Sequence, residues 1–154
     1  DFTWPGYSEH DAQIYGRDNE KTGAFVKRVR DTAELAHSGK GEPLLSLEET
    51  QKNVISTGYP EKNLVFVQGY VEKTIPEIAP EQIALLRLDT DFYDSTLHEL
   101  EHLYPRLSRG GSLIIDDYPT EVGATVATDE YFAQSSEKIF LHRVGIQGRI
   151  GVRV

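Results

Sequence analysis

Cysteine and methionine are both absent from these 154 residues, and tryptophan occurs once. Without cysteine, disulfides and thiolate metal sites are excluded. A reducing compartment is permitted, and a cytoplasmic location is the expectation. No apolar run approaches the roughly 20 residues a helix needs to cross a bilayer. The opening residues carry no signal-peptide pattern. With no Met and an abrupt start at Asp1, the expectation is that residues, and any targeting segment, precede it. Basic residues are scarce too: 16 Lys and Arg face 25 Asp and Glu, for a net charge of −9. That balance argues against nucleic acid and against an anionic membrane surface as partners. It suits a protein that binds cations or neutral polar molecules, or one that is merely soluble.

What is present reads as one domain. Hydrophobic residues make up 38% and charged residues 27%, ordinary values for a globular protein. Residues 1–42 are polar and turn-rich, with Trp4-Pro5-Gly6 forcing a turn. From Asn19 to about Ala36, Phe25, Val29, Ala33 and Ala36 form a thin helical stripe, which suggests a lid-like cover. Residues 43–154 read as an α/β core. Ser46-Leu47-Glu48-Glu49 is a capping box opening a helix to about Thr57, and Gly58-Tyr59-Pro60 stops it.

Three apolar runs predict strands: NLVFVQG (63–69), IALLRL (83–88) and SLIID (112–116). Such continuous runs suit parallel strands buried on both faces. Between the last two, Tyr93, Leu97, Leu100, Tyr104 and Leu107 recur at helical spacing. Pro105 ends that helix, and Gly110-Gly111 turns the chain into the third strand. Another helix is expected from Val122 to about Ala133. KIFLH (138–142) and GRIGVRV (148–154) then predict a closing strand pair around Gly145. Strands alternating with helices make an α/β sheet, whose ligand sits beyond the carboxyl ends of the strands.

Those ends carry Gln68-Gly69-Tyr70, Asp89-Thr90-Asp91 and Asp116-Asp117-Tyr118. Neighbouring strands thus deliver acids to one edge. Two carboxylates ~5 Å apart at an effective dielectric near 20 repel by roughly 3 kcal/mol. Without a cation, one of them should take up a proton. All-oxygen ligands suit Mg²⁺, Mn²⁺ or Ca²⁺ rather than Zn²⁺. The bland alternative makes Asp94 a helix N-cap, and Asp116 and Asp117 caps or loop contacts with solvent.

His98-Glu99-Leu100-Glu101-His102 also matches the H-E-x-x-H pattern of zinc peptidases. Leu100, however, belongs to the stripe that faces the sheet, and no third ligand follows at a short spacing. His98 and His102 therefore read as helix residues flanking that stripe toward solvent.

ALLRLDTDFYDST and LYPRLSRGGSLIIDDY closely resemble the macrocin O-methyltransferase family, and PLLSLEETQKNV and VFVQGYVEKTIP extend the resemblance upstream. It covers about Pro43 to Tyr118 well and the rest loosely. It implies a Rossmann-like class I methyltransferase sheet that methylates hydroxyls of natural-product sugars with S-adenosylmethionine and a divalent ion, usually Mg²⁺. It further implies Asp89, Asp116 and Asp117 as metal ligands, with Mn²⁺ as the other candidate ion, and Asp91 as general base. Gln68, Gly69 and Tyr70 would lie by the cofactor's adenine or ribose, and Asp1 would hold the ribose hydroxyls. Thr90 stands where the family usually has Gly, which narrows the space beside the metal.

The resemblance also implies a central first strand followed by a Gly-rich cofactor loop, and none of the 154 residues supplies them. The chain is thus expected to be a partial domain, the C-terminal part of a longer one, with weak cofactor binding if it truly begins at Asp1. The expected partner is a small hydroxylated molecule; a homo-oligomer is compatible with this reading. Two rivals remain. One is a glycosyltransferase whose Asp89-Thr90-Asp91 holds Mn²⁺ against a nucleotide-sugar; it does not predict Asp116-Asp117. The other is a non-catalytic acidic α/β module that binds cations or a partner.

Overall fold

The structure, a computed structural model, describes residues 46–118 and 122–154. The expected lid helix, Asp1 and the boundary near residue 43 lie outside the described residues.

Helix α1 (Leu47–Ile55) begins with the expected capping box. The Ser46 amide donates to Glu49 Oε2 at 2.9 Å, and the Glu49 amide donates to Ser46 Oγ at 3.1 Å. A short α2 (Val71–Thr74) follows. Strand β1 (Ile83–Leu88) leads through α3 (Tyr93–Leu103) into β2 (Leu107–Ile115). After α4 (Val122–Gln134), β3 (His142–Val144) and β4 (Gly148–Val152) close the sheet. The strand order is β1-β2-β4-β3. β1 and β2 run parallel, and β4 is antiparallel to both of its neighbours.

The core forms where α3 lies on one face of β1 and β2. Leu86 and Leu88 pair with Leu113 and Ile115 across the ladder, and all four are buried with Leu100, Leu103, Tyr104 and Leu107. Tyr104 also meets Tyr131 and Phe132 of α4 edge-on. Helical spacing picked out Tyr93 and Leu100 on the core face of α3, but Leu97 is only half-buried, Glu99 is buried, Tyr104 lies in the turn after the helix and Leu107 opens β2.

Four expectations need correction. β1 is not buried on both faces: it alternates, with Leu86 and Leu88 inside and Leu85 61% exposed. Its apolar run marks two faces, but the described helix α3 covers one. Second, the VFVQG segment forms no strand; Val65 is 81% exposed. A strand needs a ladder partner. β1 ends the sheet among the described residues, and a cleft of about 420 Å³ lined by Val67, Gly69, Leu85 and Arg87 separates the two segments.

Third, Gly110-Gly111 does not precede β2 but lies within it, at an irregularity where the pairing jumps from Ile83–Leu107 to Leu85–Ser112. Gly110 takes φ +81° there, a value that costs glycine nothing. Fourth, only His142 of KIFLH is in a strand, because pairing with β4 starts at that residue.

Candidate active site

The carboxyl ends of β1 and β2 are tied together: the Asp116 amide donates to the Leu88 carbonyl at 3.0 Å. That bond places Asp89 beside Asp116. Carboxylate oxygens of Asp89, Asp116 and Asp117 all lie within 4.8 Å of one another, as the strand-end argument requires. Among the described residues this is the sole cluster of three or more potential metal-ligating side chains. His98 and His102 do not join one. His98 Nε2 is 3.0 Å from the Ile75 carbonyl, and His102 Nδ1 is 2.8 Å from the His98 carbonyl. Both histidines are half-buried rather than turned to open solvent.

Sequence reasoning missed Arg87. Its guanidinium lies 3.0 Å from Asp89 and 2.9 Å from Asp116. Residues two apart on a strand share a face, so the signal was there: Arg87 and Asp89 are two apart at the strand end. The hydrogen bond from Arg87 holds the Asp116 carboxyl below its ordinary value. Burial raises Asp89, Arg87 opposes that shift, and Asp116 adds to it. Asp89 therefore holds its proton more tightly, chiefly because it is withdrawn from water and only secondarily because Asp116 and Asp117 crowd it.

The chain around the acids is braced. Phe92 N–H donates to the Thr90 carbonyl at 2.7 Å, closing a three-residue turn at Asp91. Asp91 takes φ +66° and its carbonyl accepts from the Ala124 amide at 3.0 Å. A non-glycine residue in that region is strained, and such strain gathers at functional sites. On the β2 side, Gln147 Nε2 donates to Asp117 Oδ1 at 3.3 Å. Arg149 stacks 4.8 Å over the Tyr118 ring and donates to its carbonyl. Asp116 and Asp117 are thus strand-end residues rather than caps. Nor is Asp94 the cap of α3: Phe92 takes that position, without a side-chain bond, and Asp94 lies in the first turn.

Gln68, Gly69 and Tyr70 lie just before α2. Gly69 lines the cleft together with Arg87, so the cleft reaches the residue that bridges the acids. As a donor set, three clustered and partly exposed carboxylates fit a hard divalent cation such as Mg²⁺ or Mn²⁺.

Solved structures of similar fold define the class. The chain superposes on the O-methyltransferase NovP with a TM-score of 0.67 at 32% identity, over 71% of this chain and 45% of that one. CalS11, a TDP-rhamnose 3'-O-methyltransferase of calicheamicin biosynthesis, shares the fold at a TM-score of 0.52 and 24% identity, over 69% of this chain and 48% of that one. The fold is therefore that of the class I O-methyltransferases. The macrocin-O-methyltransferase (TylF) family model matches residues 22–148, and the chain belongs to that family.

Among curated relatives, the demethyldecarbamoylnovobiocin O-methyltransferase of Streptomyces niveus is 34% identical over 105 residues, 66% of this chain and 40% of that protein. The mycinamicin III 3''-O-methyltransferase of Micromonospora griseorubida is 42% identical over 73 residues, 47% of this chain and 29% of that protein. The chain spans less than half the length of these relatives.

Proposed function

We propose that this chain carries the acidic half of an O-methyltransferase site. The enzyme would move a methyl group from S-adenosylmethionine to a hydroxyl of a sugar or diol on a small natural product, with a divalent cation. One observation carries the reading: Asp89, Asp116 and Asp117 converge at the ends of adjacent parallel strands, with Asp91 held in a strained turn beside them. The names of the relatives, each an O-methyltransferase, support the reaction class.

Asp89, Asp116 and Asp117 would hold the cation, Mg²⁺ or Mn²⁺. Bound there, it would acidify a substrate hydroxyl, whose own pKa lies far above 7, and fix its direction. Asp91 would accept the hydroxyl proton as general base. Gln68, Gly69 and Tyr70 would lie by the cofactor's adenine or ribose; of the three, Gly69 lines the cleft, whose 420 Å³ falls in the range of small-molecule sites. The methyl donor supplies an electrophilic carbon on a sulfonium. What remains for the protein is alignment of the reacting atoms and exclusion of water.

Calorimetric titration with Mn²⁺ and S-adenosylhomocysteine tests this reading. Mn²⁺ binding that disappears in Asp89→Asn supports it. UDP or GDP binding with Mn²⁺ in place of S-adenosylhomocysteine would replace it with a glycosyltransferase. Cation binding alone would leave the non-catalytic module.

A further inference from the structure

Glu99 is an ionisable residue withdrawn from water. It is 7% exposed, next to Leu100, which is fully buried, on the helix face that packs against the sheet. Buried carboxylates without partners are strongly disfavoured, so its hydrogen bond matters. Thr90 Oγ1 donates to Glu99 Oε2 at 2.8 Å and lies 3.3 Å from Thr96 Oγ1. Ser95 Oγ, on the same helix, donates to the Phe92 carbonyl at 3.2 Å. Three consecutive inward positions of α3, at 95, 96 and 99, thus hold the stretch that leaves β1. Thr90 is the middle residue of Asp89-Thr90-Asp91. Its side chain is turned to the helix, while that of Asp89 meets Arg87 on the other side.

We propose that Glu99 is a positioning residue: by anchoring the Thr90 hydroxyl from inside the helix, it fixes the directions in which Asp89 and Asp91 present their carboxylates. Partners one shell beyond a ligand commonly set its orientation. The inference rests on the cation-dependent reading of the site. It adds that the helix–strand packing, and not the strand end alone, sets cation affinity.

The test uses the full chain and Mn²⁺ alone as probe, read by calorimetry, with circular-dichroism melts alongside. Glu99→Leu and Thr90→Val should each weaken Mn²⁺ binding by about 10- to 100-fold, the usual cost of losing an outer partner. Glu99→Gln keeps an acceptor for the hydroxyl and should stay near the wild-type affinity. The double variant Thr90→Val with Glu99→Leu should be little worse than either single one, because both remove the same bond. Should Glu99→Leu fail to fold, Thr90→Val conserves volume and keeps the question open to measurement. Folded variants with lower melting temperatures and unchanged Mn²⁺ affinity would mean a merely structural bond and overturn the proposal. Wild-type protein that binds no Mn²⁺ would overturn the cation-dependent reading together with it.

Discussion

The guanidinium of Arg87 lies 2.9 Å from the carboxylate of Asp116, an ion pair that crosses from one parallel strand to the next. The same group reaches Asp89 at 3.0 Å. One positive charge facing three clustered carboxylates leaves them under-neutralised, so a cation entering the site would meet both attraction from the acids and competition from Arg87.

Replacing Arg87 by Gln should therefore tighten Mn²⁺ binding. The pair is half exposed, and ion pairs of that kind are worth roughly 0.2–1 kcal/mol, which corresponds to a gain of up to about five-fold. Calorimetric titration near neutral pH checks it. Weaker binding would make Arg87 a support of the site instead of a competitor.

Asp89→Asn should separate function from stability. Loss of its exposed ion pair should change unfolding free energy by less than about 1 kcal/mol in urea titrations. Mn²⁺ affinity should fall by more than about 100-fold, beyond the cost of losing an outer partner.

Burial raises the Glu99 carboxyl to about 7 from the usual 4.5, with Glu72 and Asp89 adding to the shift and Thr90 opposing it. In the unfolded chain this group ionises near 4.5, whereas in the folded chain it keeps its proton to about 7. Below the lower value both states are protonated and stability is unaffected. As pH rises between the two values the fold loses stability, and above about 7 the penalty is complete, of order 3 kcal/mol. Glu99→Gln removes this titration, so its stability advantage over wild type should be larger at pH 8 than at pH 5 in denaturant melts. An equal difference at both pH values would contradict the shift.

Gly111→Ala should destabilise the sheet. An added Cβ would meet the Ser108 carbonyl oxygen at 2.8 Å and that of Ala84 at 2.9 Å. Neither backbone atom can swing aside as a side-chain tip would. A cost of about 1–3 kcal/mol is expected from such overpacking, measured as a lower thermal midpoint.

Much of the site was legible because it depends on local pattern. IALLRL followed by Asp89, and SLII followed by Asp116, mark strand ends whatever surrounds them. The ordering of the elements required only that two apolar runs flank one helical stripe. Glu99 was not legible. Its charge argued for the surface, and the bond to Thr90 that makes its burial tolerable spans nine positions across two elements. Arg87 was half legible: its place beside Asp89 follows from their spacing along β1, but its bond to Asp116 emerges only once β2 lies alongside. The VFVQG segment failed in the opposite sense: apolar composition advertised a strand, but ladder hydrogen bonds come from a neighbour that composition does not reveal. Gly110-Gly111 reads as a boundary in the sequence, yet a strand can pass through a glycine by a local irregularity.

The pairing of Leu88 with Ile115 has an outcome for how the molecule responds to ions. Asp89 and Asp116 each follow one member of that pair, so sliding either strand by a single step would turn its acid to the opposite side of the sheet. The cluster of Asp89, Asp116 and Asp117 is thus a product of alignment and is absent from the denatured chain. Any metal that prefers the aligned state must then shift the folding equilibrium toward it, and added Mn²⁺ would act as a reporter of whether the two strands are in step.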